Sequence, residues 1–462
     1  MFSFSAINLG CSKNMVDLEF AIGEILKYSE RTPIEYRENP EDPETEYVIV
    51  NTCGFLSSAR EESEETLAYY DSLGKKLILM GCYVSVKDDA FLASLKNLHS
   101  IVPFMSYSVI EELLLGKKSK LNLGAIVRAK QAHKESREKT LSNYLASIEA
   151  PGKNAKAFVW KGDEVRAYIH APFGHEYLKV AEGCDNNCTF CIIPTIRGRQ
   201  QSRPIESIVE EVKTMLNSGI KEIQILSQDT TRYGTDLYGE PKLLELLRAI
   251  DETIEKSNID AKFRVYYLYP DILTLTHIDE LGKLKHFLPY FDIPFQHASE
   301  SVLKRMGRHY DRKHIDAFLL KIRETFENAF IRTAFIIGFP GETESDFNSL
   351  IEFVKQNEFE SVGIFQYHDE VLATSSKLDH KVDDESAKNR IKALTPILEE
   401  IYAKKREQRK GKMQVGYIME GGKDSVIIRP ELHAPEVDEY DEVSTKNITG
   451  NIKIGSKVHY IF

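Results

Sequence analysis

The sequence predicts an α/β fold in three parts, and three observations carry that expectation. Short apolar runs alternate with helical periodicities through most of the chain; six such units follow one another beyond residue 166; and the final stretch changes to apolar/polar alternation broken by glycine-rich turns. Alternating β and α reads as parallel strands joined by crossover helices. Six units suit a partial (β/α) barrel better than a closed eight-stranded one, and the last alternation suits a small antiparallel barrel of the OB type.

In the first part, residues 1–117, the strands fall at Ser5–Leu9, Tyr47–Val50 and Lys76–Met80, with helical patterns at Val16–Tyr28 and Ser57–Leu73. Parallel sheets bind ligands beyond the carboxyl ends of their strands. Three cysteines stand there, in Gly10-Cys11-Ser12, Thr52-Cys53-Gly54 and Gly81-Cys82-Tyr83. A glycine beside each lets the backbone turn sharply. Residues 118–165 turn polar and lose periodicity, as a linker does, with a strand pair expected from Phe158. Residues 166–402 carry strands at Tyr177–Val180, Glu222–Leu226, Phe263–Tyr267, Tyr290–Ile293, Ile331–Ile337 and Ser361–Phe365, a helix at Ile205–Ser218 and a long charged helix from Glu385 to about Arg409. Residues 403–462 contain the alternating runs Ser425–Ile428 and Lys457–Phe462.

Composition narrows the class. A chain of 462 residues is too long for one ordinary core, and 42% hydrophobic with 28% charged residues is the balance of a soluble globular protein. A net charge of −11 speaks against a nucleic-acid binder that works through a whole-surface positive field. No apolar run approaches the roughly 18 residues of a membrane span, and Met-Phe-Ser-Phe-Ser-Ala lacks a basic n-region. The expected compartment is the cytoplasm, with no membrane partner. In that reducing setting six cysteines are better metal ligands than disulfide partners.

Cys184, Cys188 and Cys191 complete the six. The CxxxCxxC spacing wraps three thiolates round one small loop, which suits a cubane iron–sulfur cluster with its fourth iron open. Structural zinc wants four protein ligands, and the histidine nearest the triplet is His175.

With Phe190 as the aromatic residue, CxxxCx(aromatic)C resembles the signature of the radical S-adenosylmethionine (AdoMet) enzymes. The resemblance implies a [4Fe–4S] cluster whose open iron chelates the amino and carboxylate groups of AdoMet, and whose reduction yields a 5′-deoxyadenosyl radical. The protein then positions and shields. By superfamily position, Phe190, Gln228, Gln296, Arg332 and Gly338 should line the AdoMet pocket, with Arg332 facing the AdoMet carboxylate. The ordinary alternatives are a turn after a strand for Gly338-Phe-Pro-Gly341 and a structural ion pair for Arg332. No side chain is assigned an acid–base role.

Three strand-end cysteines, a radical core and a C-terminal TRAM-like barrel together resemble the methylthiotransferases over essentially the whole chain. In that family a second [4Fe–4S] cluster sits on the positions of Cys11, Cys53 and Cys82 and carries the sulfur to be inserted; an electron donor and a sulfur source are implied partners. Asn8-Leu-Gly-Cys11-Ser-Lys-Asn14 and Arg429–Asp438 resemble the branch that modifies the β-carbon of an aspartate in the twelfth protein of the small ribosomal subunit. The rival branch modifies adenosine in transfer RNA. A rival of another class is an iron–sulfur electron carrier or redox sensor without catalysis. Two features depart from the family pattern: Tyr367-His-Asp-Glu370 runs on into Val-Leu-Ala-Thr instead of a glycine-containing turn, and the linker between the first two domains is unusually long. From Gly411 onward six Lys or Arg face eight Asp or Glu, so the acidic run Glu436–Glu442 is expected to steer a basic protein rather than to hold RNA.

Overall fold

A computed structural model describes residues 2–26, 33–102, 166–170 and 173–462, with the backbone of 128–129 and 148–149. The chain separates into two compact units, one of Met1–Cys184, Ile192–Ile223 and Ser257–Ile259, the other of Asp185–Cys191, Gln224–Lys256 and Asp260–Phe462. Apart from those two backbone pairs, the expected linker over 118–165 and its strand pair from Phe158 lie outside the described residues.

The first unit opens with a parallel sheet of five strands, β1 (Phe2–Asn8), β2 (Ile34–Tyr36), β3 (Tyr47–Thr52), β4 (Lys76–Gly81) and β5 (Leu98–Ile101), in the order β2-β1-β3-β4-β5. The outer strands β2 and β5 have three and four residues, too few to form a pattern in sequence. Helix α1 (Ser12–Leu26) begins four residues before its apolar periodicity, so Cys11 caps it and its carbonyl accepts from the Met15 amide at 3.0 Å. Val48, Val50, Leu77 and Leu79 pack with Leu67 of α2 (Ser57–Ser72) and with Tyr83. In register, Asn8 lies opposite Asn51 and Thr52 opposite Gly81, so the ends of β1, β3 and β4 are level.

In the second unit, strands Glu222–Leu226, Lys262–Val265, Phe287–Asp292, Phe330–Ile337 and Ser361–Gln366 are adjacent in that order. Where pairing is resolved, at the last four, it is parallel. His175–Lys179 stands next to Glu222–Leu226 in the six-stranded order, and the carbonyl of Gly174 just before it accepts from the amides of Lys221 and Glu222. The partial barrel expected from six βα units is therefore present. Phe335 on Phe330–Ile337 is fully buried and meets Phe353 and Phe359 edge-on. Helix Glu344–Asn357 starts on a Thr343/Asp346 capping box, and Asp383 caps the long helix Asp384–Arg409.

The C-terminal sheet has five antiparallel strands, and Ile418, Val426, Ile428, Val443, Val458 and Tyr460 form its core. It is fastened to strands Lys262–Val265 and Phe287–Asp292. Arg264, fully buried, donates to the carbonyls of Leu432 and Glu431 at 3.0 and 2.6 Å and lies over the Tyr290 ring, whose hydroxyl donates to Asp438 at 3.0 Å.

The acidic run of this last part is engaged in the fold. Asp438 also accepts the Ala434 amide, Glu439 pairs with Arg406, buried Asp441 pairs with Arg409 and accepts the Tyr460 hydroxyl, and Glu442 accepts from Ser425. Of its five carboxylates, Glu439 and Asp441 are thus paired with cations of helix Asp384–Arg409, while Asp438 and Glu442 accept from neutral donors.

One buried group makes stability depend on pH. His297, fully buried, accepts the Ser299 amide on Nδ1 at 3.0 Å. Burial lowers its pKa to about 4; Asp346 opposes this and Arg390 adds to it. An unfolded chain takes up that proton near pH 6.5, so between pH 6.5 and 4 the unfolded state binds more protons and stability falls as pH falls. The loss should reach at most about 3 kcal/mol. Denaturant unfolding of the metal-free protein at pH 7 and pH 4.5 should give a smaller difference for His297→Gln than for the unaltered chain.

Candidate functional site

The level strand ends bring Cys11, Cys53 and Cys82 to one edge of the first unit's sheet. Asn14, one turn into α1, sits among them: its Oδ1 takes the thiols of Cys11 and Cys82 at 3.7 and 3.5 Å, while its Nδ2 donates to the Thr52 carbonyl at 2.9 Å. The glycines play two different roles. A Cβ on Gly54 would stand 2.8 Å from the Cys82 carbonyl carbon and one on Gly10 would run into Asn14 at 2.4 Å, so both serve close approach. Gly81 alone of the three also needs a left-handed backbone, with φ of 96°.

Electrostatics separate the three thiols. Cys11 is the exposed one; partial desolvation opposes its ionisation, but Lys13, Arg197 and backbone amides outweigh this and lower its pKa. Burial raises the pKa of Cys53. It pushes Cys82 up to about 11, although Arg197 Nε donates to its sulfur at 3.2 Å. Arg197 also donates to both oxygens of Glu182 at 3.0 Å and to Asp17 at 3.2 Å, and Lys179 pairs with Asp17 and Glu182. Sequence reasoning missed Asn14 and Arg197 as parts of this site.

Nearby, Arg166 pairs with Glu19, Glu176 and Glu211, and Arg203 pairs with Glu211. Among the described residues, Glu19, His170 and Glu176 form the one group whose ligand atoms lie as close as a single metal ion requires. The Arg166 guanidinium already holds both carboxylates, so this group is an ion-pair hub. Cys11, Cys53 and Cys82 offer three thiols, the donor type that holds iron–sulfur clusters. The donor set therefore fits a cubane.

The second cysteine set straddles the two units in sequence. On the first-unit side, the Cys184 amide donates to the Gly198 carbonyl at 3.1 Å, and Gly183, with φ of 73°, passes so close to Arg199 that a Cβ would meet its carbonyl oxygen at 2.2 Å. On the second-unit side, Cys191 N–H bonds the Cys188 carbonyl in a tight turn. Asn186 donates to Asp229 at 2.6 Å and accepts from Arg232 at 2.9 Å. Thr189 donates to the Arg305 carbonyl through its hydroxyl at 2.8 Å and to the Met306 carbonyl through its amide at 3.0 Å. The loop is held on several sides, and a set of three thiols suits an open-iron cubane.

Of the expected pocket residues, Phe190 meets Phe339 edge-on. Gln228 follows strand Glu222–Leu226 by two residues. Gln296 adopts a left-handed φ of 71° and is pinned by an amide bond to the Ala334 carbonyl at 2.8 Å and by its own carbonyl, which accepts from Ile336 at 2.9 Å. Such strain at a non-glycine residue concentrates at functional positions. Gly338 also has positive φ, and its amide donates to Glu342 at 2.6 Å, so here the turn itself uses that donor. Arg332 pairs with Asp292 at 2.9 Å, the structural ion pair that was the alternative for it.

Comparison with known proteins follows this geometry. Residues 178–354 match the radical SAM superfamily, and residues 3–103 match a family described as uncharacterized protein family UPF0004. Together they define a radical AdoMet enzyme with an added N-terminal cysteine-bearing domain. Ribosomal protein uS12 methylthiotransferase RimO of Aquifex aeolicus (strain VF5) is 36% identical over 436 residues, covering 94% of this chain and 88% of the relative. The protein of the same name from Clostridioides difficile (strain 630) is 34% identical over 464 residues, covering 99% and 95%. The chain belongs to the RimO family of methylthiotransferases. Among solved structures, the radical AdoMet methyltransferase TsrM from Kitasatospora setae superposes with a TM-score of 0.55 at 13% identity, over 81% of this chain and 77% of that one. The radical AdoMet enzyme OxsB gives 0.51 at 14% identity, over 87% and 62%. At these identities the likeness is one of fold. Among the described residues no helix is long and apolar enough to cross a membrane.

Arg197 is the most exacting part of the N-terminal site. Arg197→Gln removes one of the two cations that Asp17 and Glu182 share, leaving Lys179 alone to both, a change that costs up to about 3 kcal/mol, and leaves Cys82 without its donor. A fall in the melting temperature of the metal-free protein, and reduced iron retention after anaerobic reconstitution, are the expected results. Arg197→Lys should restore part of the stability and less of the iron.

Proposed function

We propose that this chain transfers a methylthio group to the β-carbon of an aspartate in ribosomal protein uS12. In this reading Cys184, Cys188 and Cys191 hold a cluster that works with AdoMet, and Cys11, Cys53 and Cys82 hold a second, [4Fe–4S], cluster. The observation that carries the reading is the meeting of three dispersed cysteines at the level ends of β1, β3 and β4, around Asn14 and Arg197. A non-catalytic electron carrier has no use for a second three-thiol site joined to an AdoMet core.

A β C–H bond beside a carboxylate is not deprotonated at useful rates by side chains tuned to neutral pH, which is why radical chemistry is required. When bound, the clusters and AdoMet supply the radical, the sulfur and the methyl group. The chain's own residues hold and shield. Asn186, Thr189, Asp229 and Arg232 fix the cluster loop, the ring of Phe190 closes one side of it, and Gln228, Gln296 and Gly338 complete the pocket wall, while Arg332 stays paired with Asp292. An external reductant and an external sulfur source are needed, since the side chains here offer neither low-potential electrons nor sulfide.

Two triple variants test the division of labour. The intact protein should hold about eight irons. Changing Cys184, Cys188 and Cys191 to Ala should leave about half of the iron and abolish AdoMet cleavage. Changing Cys11, Cys53 and Cys82 to Ala should leave cleavage to 5′-deoxyadenosine intact and stop modification of uS12, read by mass spectrometry. Cleavage lost in the second variant while it keeps four irons would overturn the assignment; modified transfer RNA with unmodified uS12 would give the reaction to the rival substrate.

A further inference from the structure

Beside the cluster loop lies a buried cation that the reading so far leaves unused. Arg308 follows helix Glu300–Arg305 through a Schellman turn: the Gly307 amide bonds the Lys304 carbonyl at 3.2 Å, the Arg308 amide bonds the Leu303 carbonyl at 2.9 Å, and Gly307 takes φ of 72°. A Cβ on Gly307 would stand 2.8 Å from the Asn187 carbonyl, so the turn is pressed against the loop that carries Cys188. The arginine is therefore aimed by backbone geometry rather than by a partner for its head group.

Arg308 is 8% exposed, and its Nε and Nη1 are buried with no hydrogen-bond acceptor. Its guanidinium lies over the ring of Tyr269 at 4.3 Å and that of Phe190 at 5.6 Å. Aromatic faces attract a cation but accept no directional N–H bond. The polar groups nearby make their hydrogen bonds to others: Asp229 takes Asn186 and Thr231, Asp271 takes Arg232 on one oxygen, and the Tyr310 hydroxyl donates to the Phe295 carbonyl at 2.6 Å. Buried guanidinium donors left open in a folded protein call for an acceptor, and a planar fork suits a carboxylate.

We infer that Arg308 is the residue that grips a carboxylate brought into the pocket beside Phe190 and Cys188. The inference rests on the proposed function, which supplies two such carboxylates, that of the AdoMet methionine and that of the substrate aspartate. It also moves the carboxylate-binding role away from Arg332, whose guanidinium Asp292 already occupies.

The test uses the full, reconstituted protein with Arg308→Gln and Arg308→Lys, each checked for iron content and for the electron paramagnetic resonance spectrum of the reduced cluster. Equilibrium binding compares AdoMet with decarboxylated AdoMet, and a uS12 peptide carrying the target aspartate with the same peptide carrying asparagine. The unaltered protein should prefer the carboxylate-bearing member of one pair by about tenfold or more, and Arg308→Gln should abolish that preference while Arg308→Lys keeps part of it. Loss in the AdoMet pair assigns the contact to the cofactor, and loss in the peptide pair assigns it to the substrate. If Arg308→Gln fails to hold iron, the comparison is read on Arg308→Lys, whose preference should be weakened. Unchanged preferences in whichever variant keeps its iron overturn the inference, as does iron loss in both, which would make Arg308 a support of the cluster. An unaltered protein that binds neither AdoMet nor peptide overturns the functional reading and this inference together.

Discussion

The first unit depends on a set of charges that exists only because it is complete. Asp17, Glu19, Glu176, Glu182 and Glu211 are buried together with Arg166, Lys179, Arg197 and Arg203. Each ion taken out of water costs several kcal/mol, and this is offset only when every partner is present with good geometry. The pairs join residues far apart in sequence, Glu19 with Arg166 and Asp17 with Lys179, so α1 and the strand after residue 175 are bound by charge rather than by grease. A hydrophobic seam would tolerate sliding. A network of forked ion pairs does not, and Cys82 is one of its termini through Arg197.

Much of this was legible in the chain. Strand and helix runs stood out because apolar spacing encodes them directly, and the six cysteines stood out because so few residue types bind iron. The glycines beside the cysteines were visible, but for Gly10 and Gly54 the reason was not: close approach depends on which backbone comes near, and that is a tertiary fact. Arg197 lies 115 residues from Cys82, and nothing in its own neighbourhood marks it as part of a sulfur site. Arg332 was placed in a cofactor pocket by position in the motif; Asp292, on the neighbouring strand, shows how an arginine at that position is satisfied within the sheet. That Arg406 and Arg409 pair with Glu439 and Asp441 of the acidic run near the C-terminus could not be read from composition.

The departure at Tyr367–Thr374 also gains a location. Thr374 and Ser375 donate to the Thr189 carbonyl, so the stretch that lacks the glycine turn packs on the cluster loop. Val371, just before it, is 85% exposed and unsupported by any core. The segment thus has one end tied to the cluster loop and an apolar tip in water.

The C-terminal sheet, fastened through Arg264, Asp438 and Lys457, is not hung on a flexible tether. Its anchors include Tyr290, level with Phe330 at the start of strand Phe330–Ile337, whereas Gly338 follows the far end of that strand. The strand Phe330–Ile337 has eight residues, and a strand of that length spans about 26 Å. A flexible module would offer its partner at a concentration set by linker length. A fixed one acts as a gauge: a macromolecule that touches the C-terminal sheet and the pocket at once must itself bridge that interval, so length, and not only sequence around the modified residue, becomes part of what is recognised.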